Sequence, residues 1–144
     1  MDPFFKDNQF LITELIDKTY IDLATKYYDV KYNIEKSFNP GAKGDVVKPN
    51  SKILYNDTLA FSFLISLTPK VEEIVGKKLF PTYAFCRAYE LGQRLVPHTD
   101  REACEYSITL PICGPPWPLQ IKKDKKWNRI HLSPGDGLIY KGQE

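Results

Sequence analysis

In the second half of the chain, hydrophobic residues recur at every second position instead of every third or fourth. This change of spacing constrains the fold more than any other feature. From Thr82 to Tyr89, large and small side chains alternate as in a β-strand with two different faces. Short runs separated by turns follow: Glu105–Ile112, Trp117–Lys122, Arg129–Leu132 and Leu138–Tyr140. Short strands at this spacing predict an antiparallel sandwich or a jelly roll.

The first half of the chain predicts helices instead. Between Asn8 and Val30, apolar residues recur every three or four positions, as in an amphipathic helix with Asn8 as its N-cap. The segment from Asn33 to Lys52 loses this period and collects glycine and proline, so we expect a loop. A solvated connection is the simpler interpretation of this loop, and a flap that faces a substrate is the alternative.

A second helical region precedes the predicted strands. The run Asp57–Leu67 is apolar nearly all round, which predicts a buried helix, with a strand as the alternative. Thr68 and Pro69 then predict the start of a short helix that ends near Gly76. The expected fold class is therefore α+β: a single domain of 144 residues, with residues 1–79 as mainly helical support and 80–144 as the β-core.

Charge and cysteine content bound the function. A formal net charge of +2 is too small to indicate a nucleic-acid partner, and none is expected. Three cysteines without a C-x-x-C spacing indicate neither a disulfide framework nor a zinc site, and they favour a reducing, cytoplasmic compartment. The first residues lack the pattern of a signal peptide, and no apolar run reaches membrane-spanning length, so neither export nor a membrane anchor is expected.

The candidate chemistry lies in the H-x-D sequence of His98 and Asp100, which reads as a strand running into a loop. Side chains two residues apart on a strand point to the same face, so the imidazole and the carboxylate are expected to converge. These are two of the three ligands of a 2-His-1-carboxylate iron site. A simple hydrogen-bonded loop pair is the alternative.

The surrounding motifs strengthen the metal interpretation. The order YELGQRLVPHTD, CEYSITLPI and then SPGDGLIY resembles the prolyl 4-hydroxylase-like branch of the Fe(II)/2-oxoglutarate-dependent dioxygenases. The resemblance covers the last third to half of the chain. It implies a double-stranded β-helix (jelly roll) core, and an activity that hydroxylates a C–H bond while O₂ converts 2-oxoglutarate to succinate and CO₂. Fe(II), 2-oxoglutarate and O₂ are the implied cofactors and co-substrates, with ascorbate as a further candidate.

The resemblance also implies roles for individual residues. His98 and Asp100 would be iron ligands, and Tyr89 of the Y-x-x-G motif would line the 2-oxoglutarate pocket. The alternative fits Tyr89 equally well: a tyrosine whose ring packs in the core and whose hydroxyl group finds a partner elsewhere. Arg101 is a candidate partner for an acidic group of a co-substrate or substrate, against the simpler interpretation of an exposed loop arginine. A peptidyl, prolyl or small-molecule substrate is expected.

One family feature has no counterpart in these 144 residues. The family's distal histidine follows the P-G-D turn, whereas His131, the only other histidine, precedes it. We therefore do not expect His131 to be an iron ligand. The resemblance implies two ligands out of three within this sequence. The sequence would then be cut short, or the protein would be an inactive jelly-roll binding module without iron chemistry.

Two other interpretations are weaker. A nucleophilic Cys86 or Cys104 activated by His98 is disfavoured, because an aspartate two residues along the same strand would lie beside the imidazole and not behind it. The lysine-rich run Lys122–Trp127 has the composition of a nucleic-acid contact, but its place between two strands favours the solvated tip of a hairpin.

Overall fold

The computed structural model describes residues 1–33 and 52–143. Its elements are three helices and seven strands in mixed order, and they form an α+β fold with antiparallel strand pairing throughout these residues. The helices are α1 (Pro3–Asn8), α2 (Lys18–Asn33) and α3 (Thr58–Val75). The strands are β1 (Phe10–Glu14), β2 (Lys52–Tyr55), β3 (Phe85–Ala88), β4 (Tyr106–Thr109), β5 (Leu119–Lys123), β6 (Lys126–Ile130) and β7 (Asp136–Lys141). Within the two described ranges, no helix is long and apolar enough to span a bilayer.

The central sheet has the order β1-β7-β4, so β7 pairs with a strand on each side. Successive side chains of β7 point to opposite faces, and both faces are buried. On one face, Ile139 packs with Phe5 of α1 and with Val71 of α3. On the other, Leu138 packs with Ile130 at the end of β6. The two remaining pairs, β2-β3 and β5-β6, are separate two-stranded sheets.

The helix predicted from Asn8 to Val30 is wrong in its first part. Phe10–Glu14 forms strand β1, which pairs antiparallel with β7 in the register Phe10↔Tyr140. The apolar spacing of this segment fits a helix or a strand, and a partner about 130 residues away decides between them. The helical part begins at Lys18 and ends at Asn33. The predicted loop lies almost wholly outside the described residues.

The second helical region is one continuous helix and not two. Asp57 caps α3 by accepting hydrogen bonds from the backbone N–H groups of Leu59 and Ala60, at 3.1 and 3.4 Å. Pro69 lies inside this helix on its exposed side, where water can hydrate the carbonyl group that proline leaves without a donor. The predicted end is confirmed, because Gly76 closes the helix with a φ of 71°.

The P-G-D turn before β7 rests on the end of β1. The Ser133 and Asp136 backbones close the turn with a 2.9 Å hydrogen bond, and Gly135 adopts a φ of 98°. The carbonyl oxygen of Gly135 accepts from Leu15 and Ile16 backbone N–H groups, and a Cβ at Gly135 would lie 2.7 Å from the Ile16 carbonyl oxygen. Glycine is therefore required here, both for the backbone angle and for the close approach.

Candidate metal-binding site at His98 and Asp100

His98 and Asp100 lie in a loop between β3 and β4, and not on a strand as predicted. Their side chains nevertheless converge: His98 Nε2 lies 3.6 Å from Asp100 Oδ1. His98 is at the surface, with 30% of its side chain exposed, and Asp100 is partly buried, with 20% exposed. This separation is longer than a hydrogen bond. The pair is thus close without being bonded directly.

The orientation of the imidazole follows from its other nitrogen. His98 Nδ1 lies 2.8 Å from the carbonyl oxygen of Val96. A carbonyl oxygen only accepts, so we assign the ring proton to Nδ1, where it donates to Val96. In the neutral imidazole this tautomer leaves a lone pair on Nε2, the ring nitrogen that lies 3.6 Å from Asp100 Oδ1. Metal-ligating histidines are commonly held in this way through the nitrogen that does not bind the metal.

The carboxylate of Asp100 is held by two hydroxyl groups. Oδ2 accepts from Ser107 Oγ at 2.5 Å and from the Tyr140 hydroxyl at 3.0 Å. Ser107 and Tyr140 are a cross-strand pair of β4 and β7, so their side chains share one face of the central sheet. Burial raises the pKa of Tyr140 well above its usual range, and the negative charge of Asp100 raises it further, so the phenol stays a donor.

Backbone contacts fix the same aspartate to the end of the sheet. The Asp100 N–H donates to the Gly142 carbonyl oxygen at 2.7 Å, and the Gly142 N–H donates to the Glu105 carbonyl oxygen at 3.1 Å. The side-chain amide of Gln143 donates to the Asp100 carbonyl oxygen. A Cβ at Gly142 would collide with the carbonyl oxygen of Cys104 and would lie 3.0 Å from Asp100 Cβ. The loop can approach β7 this closely only because residue 142 is glycine.

The gap between His98 Nε2 and Asp100 Oδ1 can be compared with the geometry that a shared metal ion needs. Ser107 and Tyr140 donate to Oδ2 of Asp100, whereas Oδ1 is the oxygen that lies 3.6 Å from His98 Nε2. Two electron-pair donors that face each other repel, unless a proton or a metal ion lies between them. Metal–ligand distances of about 2.1 Å allow one ion to contact two donors that are 3.6 Å apart. An imidazole and a carboxylate are also two of the ligand types that non-haem iron sites use.

A third ligand does not join this pair from the residues that the structure describes. Within 1–33 and 52–143, no three histidine, cysteine, aspartate or glutamate side chains are grouped so that they could hold a metal ion. His131 is exposed, immediately after β6, and does not complete such a group. The cysteines, which all lie in the described residues, form no disulfide. Cys86 and Cys104 are hydrogen-bonded to the hydroxyl groups of Tyr28 and Tyr83, respectively.

Tyr89 and Arg101 have aromatic neighbours in the structure. The Tyr89 ring meets Trp117 edge-on, with 4.2 Å between centroids. The guanidinium group of Arg101 lies 5.6 Å from the ring centroid of Tyr83. Burial and the hydrogen bond to Cys104 raise the pKa of Tyr83 to about 12, so this ring remains neutral at physiological pH. These contacts neither require nor prevent the roles that the resemblance implies.

The residues that hold the site were not found from the sequence. Ser107 and Tyr140 lie in predicted strands, but the pattern did not show that they would face Asp100, and no structure was predicted for Gly142. The available signal was the hydroxyl group at alternating strand positions near the motif. Using it requires the β4–β7 register, which connects residues more than 30 positions apart.

Comparison with known proteins adds no assignment: no family model matches the chain, and no curated protein or solved structure is detectably similar to it.

Proposed function

We propose that the chain is an Fe(II)- and 2-oxoglutarate-dependent oxygenase domain with a jelly-roll core, and that His98 and Asp100 are two of its iron ligands. One observation carries the proposal. With His98 Nδ1 bonded to the Val96 carbonyl group, Nε2 is the free ring nitrogen, and it lies 3.6 Å from Asp100 Oδ1, a separation that an ion can bridge. The sequence motifs around this pair support iron over other metals.

The surrounding residues would prepare this pair for a metal. Ser107 and Tyr140 hold Oδ2, so the carboxylate presents its other oxygen to the metal position. Val96 prevents the imidazole from rotating freely, because rotation breaks its 2.8 Å hydrogen bond. When bound, Fe(II) would activate O₂ for the oxidative decarboxylation of 2-oxoglutarate and the hydroxylation of a substrate C–H bond. Partners of the ligands commonly change metal affinity by about 10- to 100-fold.

Other parts of the proposal follow the resemblance. Tyr89 and Arg101 would contact 2-oxoglutarate, and ascorbate would keep the iron reduced. The substrate would be a peptidyl group, such as proline, or a small molecule. Three free cysteines support a reducing compartment such as the cytoplasm.

The test is an anaerobic Fe(II) titration in the presence of 2-oxoglutarate, followed by addition of O₂ and measurement of succinate. We expect saturable binding and iron-dependent succinate formation. We expect His98→Ala to weaken iron binding by at least about tenfold. His131→Ala removes the exposed histidine outside the pair and serves as the matched control. Equal iron binding by the wild type and His98→Ala would refute the assignment of this histidine.

A second function is a binding module without redox chemistry. It is favoured by the number of ligands, since the described residues bring together two and not three. The same titration separates the two proposals. A wild-type protein that neither binds Fe(II) nor forms succinate, while remaining folded, would favour the binding module.

A further inference from the structure

The β5–β6 hairpin concentrates the positive charge of the protein. Between Leu119 and Ile130 there are five lysine or arginine residues and one aspartate, so these 12 residues carry four net positive charges. The whole chain carries a net charge of +2, so the other 132 residues carry two net negative charges. The small overall charge therefore hides a strongly basic element.

The hairpin has a regular geometry with two distinct faces. Its turn residues Asp124 and Lys125 have φ values of 50° and 65°, as in a two-residue turn that matches strand twist. On the inner face, Leu119 and Ile121 pack with the buried Ile130 against the core. The Lys123 ammonium group also donates to the Asp7 carbonyl oxygen at the end of α1. The hairpin is thus attached to the domain by one face.

The opposite face is exposed and combines an indole ring with cations. The cross-strand pairs Lys122↔Trp127 and Gln120↔Arg129 place these four side chains on one face, and all four are exposed. Trp127 has 47% of its surface exposed, and Lys122 Nζ lies 5.8 Å from its ring centroid. Arg129 follows two residues along β6, at about 7 Å. We define these four residues as the outer face of the hairpin.

We propose that the outer face of the hairpin binds a single-stranded polynucleotide, with a base stacked on Trp127 and phosphates paired with Lys122 and Arg129. Trp127 has one cation opposite it on the neighbouring strand, Lys122, and a second two residues along its own strand, Arg129. An exposed aromatic ring beside cations is the combination that non-specific single-strand binding uses. Lysine and arginine neutralise phosphates, and the stacking ring accepts any base. The neutral amide of Gln120 adds a donor and an acceptor without charge.

A membrane surface fits this face less well. The tip of the hairpin is formed by Asp124 and Lys125, both exposed, and insertion of a charged tip into a bilayer is unfavourable. Trp127 is the one large apolar group on the outer face, whereas interfacial binding uses an extended apolar face. The cationic strand with a single ring therefore favours a polynucleotide.

The experiment measures binding of the full chain to fluorescein-labelled 12-nucleotide oligo(dT) and oligo(U), with linear polyphosphate as a polyanion that has no bases. We expect Trp127→Ala to weaken binding to at least one oligonucleotide by about tenfold and to leave polyphosphate binding unchanged. Trp127→Phe keeps a stacking ring and should retain most of the affinity. Circular dichroism would verify that the variants are folded.

Salt dependence tests the phosphate contacts separately. We expect Lys122→Gln or Arg129→Gln to reduce the slope of log affinity against log salt by about 0.7 each. Lys26→Gln makes the same charge change on an exposed part of α2 and should leave the slope unchanged. Equal binding of oligonucleotide by wild type and Trp127→Ala would overturn the proposal. Tighter binding to phosphatidylserine vesicles than to either oligonucleotide would also overturn it.

Discussion

Substitution of Tyr140 by phenylalanine tests how Asp100 is held. The change removes a hydroxyl group that donates to Asp100 Oδ2 at 3.0 Å and leaves the ring, which packs beside Leu138, in place. A hydrogen bond to a charged group contributes about 1.5–3 kcal/mol. Ser107 still donates to the same oxygen at 2.5 Å. We therefore expect the free energy of unfolding to fall by an amount near the lower end of this range, about 1.5–2 kcal/mol.

Urea denaturation measures this loss directly, and thermal unfolding should show a decrease of about 4 °C per kcal/mol for a chain of this size. Combining the substitution with Asp100→Ala in a double-mutant cycle should give a coupling energy of about 1 kcal/mol or more. Tyr140→Phe should also weaken Fe(II) binding by about 10- to 100-fold if Asp100 is a ligand. Tyr20→Phe, at a tyrosine that is 62% exposed, is the matched control.

Two results would refute this reasoning in different places. A change in stability within about 0.5 kcal/mol of zero, without coupling to Asp100→Ala, would mean that the hydrogen bond does not hold the carboxylate. A clear stability loss with unchanged Fe(II) affinity would mean that Tyr140 holds Asp100 but that Asp100 does not bind the metal.

Three further substitutions test the structure around the site and the helices. Gly142→Ala should destabilise the protein by about 1–3 kcal/mol in urea denaturation, because the added Cβ collides with the Cys104 carbonyl oxygen. Asp57→Ala should cost about 2–3 kcal/mol, since it removes the α3 cap and the acceptor of the Tyr27 and Tyr28 hydroxyl groups, whereas Asp57→Asn should cost less. Tyr28→Phe should reduce the loss of stability at alkaline pH, measured as the melting temperature between pH 8 and 11.

The sign of the alkaline effect follows from the environment of Tyr28. Burial raises the pKa of Tyr28 far above its ordinary value of 10.0, and its contacts with Cys86 and Asp57 raise it further. The unfolded chain therefore ionises first as the pH rises. This group's contribution to stability is complete below about pH 10 and decreases above it. A wild-type melting temperature that falls no faster than that of Tyr28→Phe would contradict this account.

Local signals predicted several elements correctly. The hairpin tip, predicted from its place between two strands, is confirmed, although β6 begins at Lys126 and not at Arg129. The end of α3 at Gly76 is also confirmed, because a glycine that closes a helix is a local signal. The P-G-D turn lies where its sequence indicates, directly before β7.

Non-local pairing explains what the sequence could not predict. Strand β1 was interpreted as the start of a helix because its apolar spacing suits both structures, and only pairing with β7 determines the strand. His98 and Asp100 were expected on a strand, yet they converge from a loop, because hydrogen bonds from the sheet position the aspartate. The convergence was predicted, but the expected cause was wrong.

The two candidate ligands, His98 and Asp100, are held in position by different parts of the structure. The His98 ring bonds to a carbonyl group two residues earlier, so its orientation is local. Asp100 forms hydrogen bonds with Ser107, Tyr140 and Gly142, so its position depends on the β4–β7 register. If β4 slipped by one residue against β7, the Ser107 hydroxyl group would turn to the opposite face of the sheet, while β7 and Tyr140 would stay in place through the pairing with β1. The distance between the two donors, and with it any metal affinity, is therefore controlled by the pairing of β4 with β7.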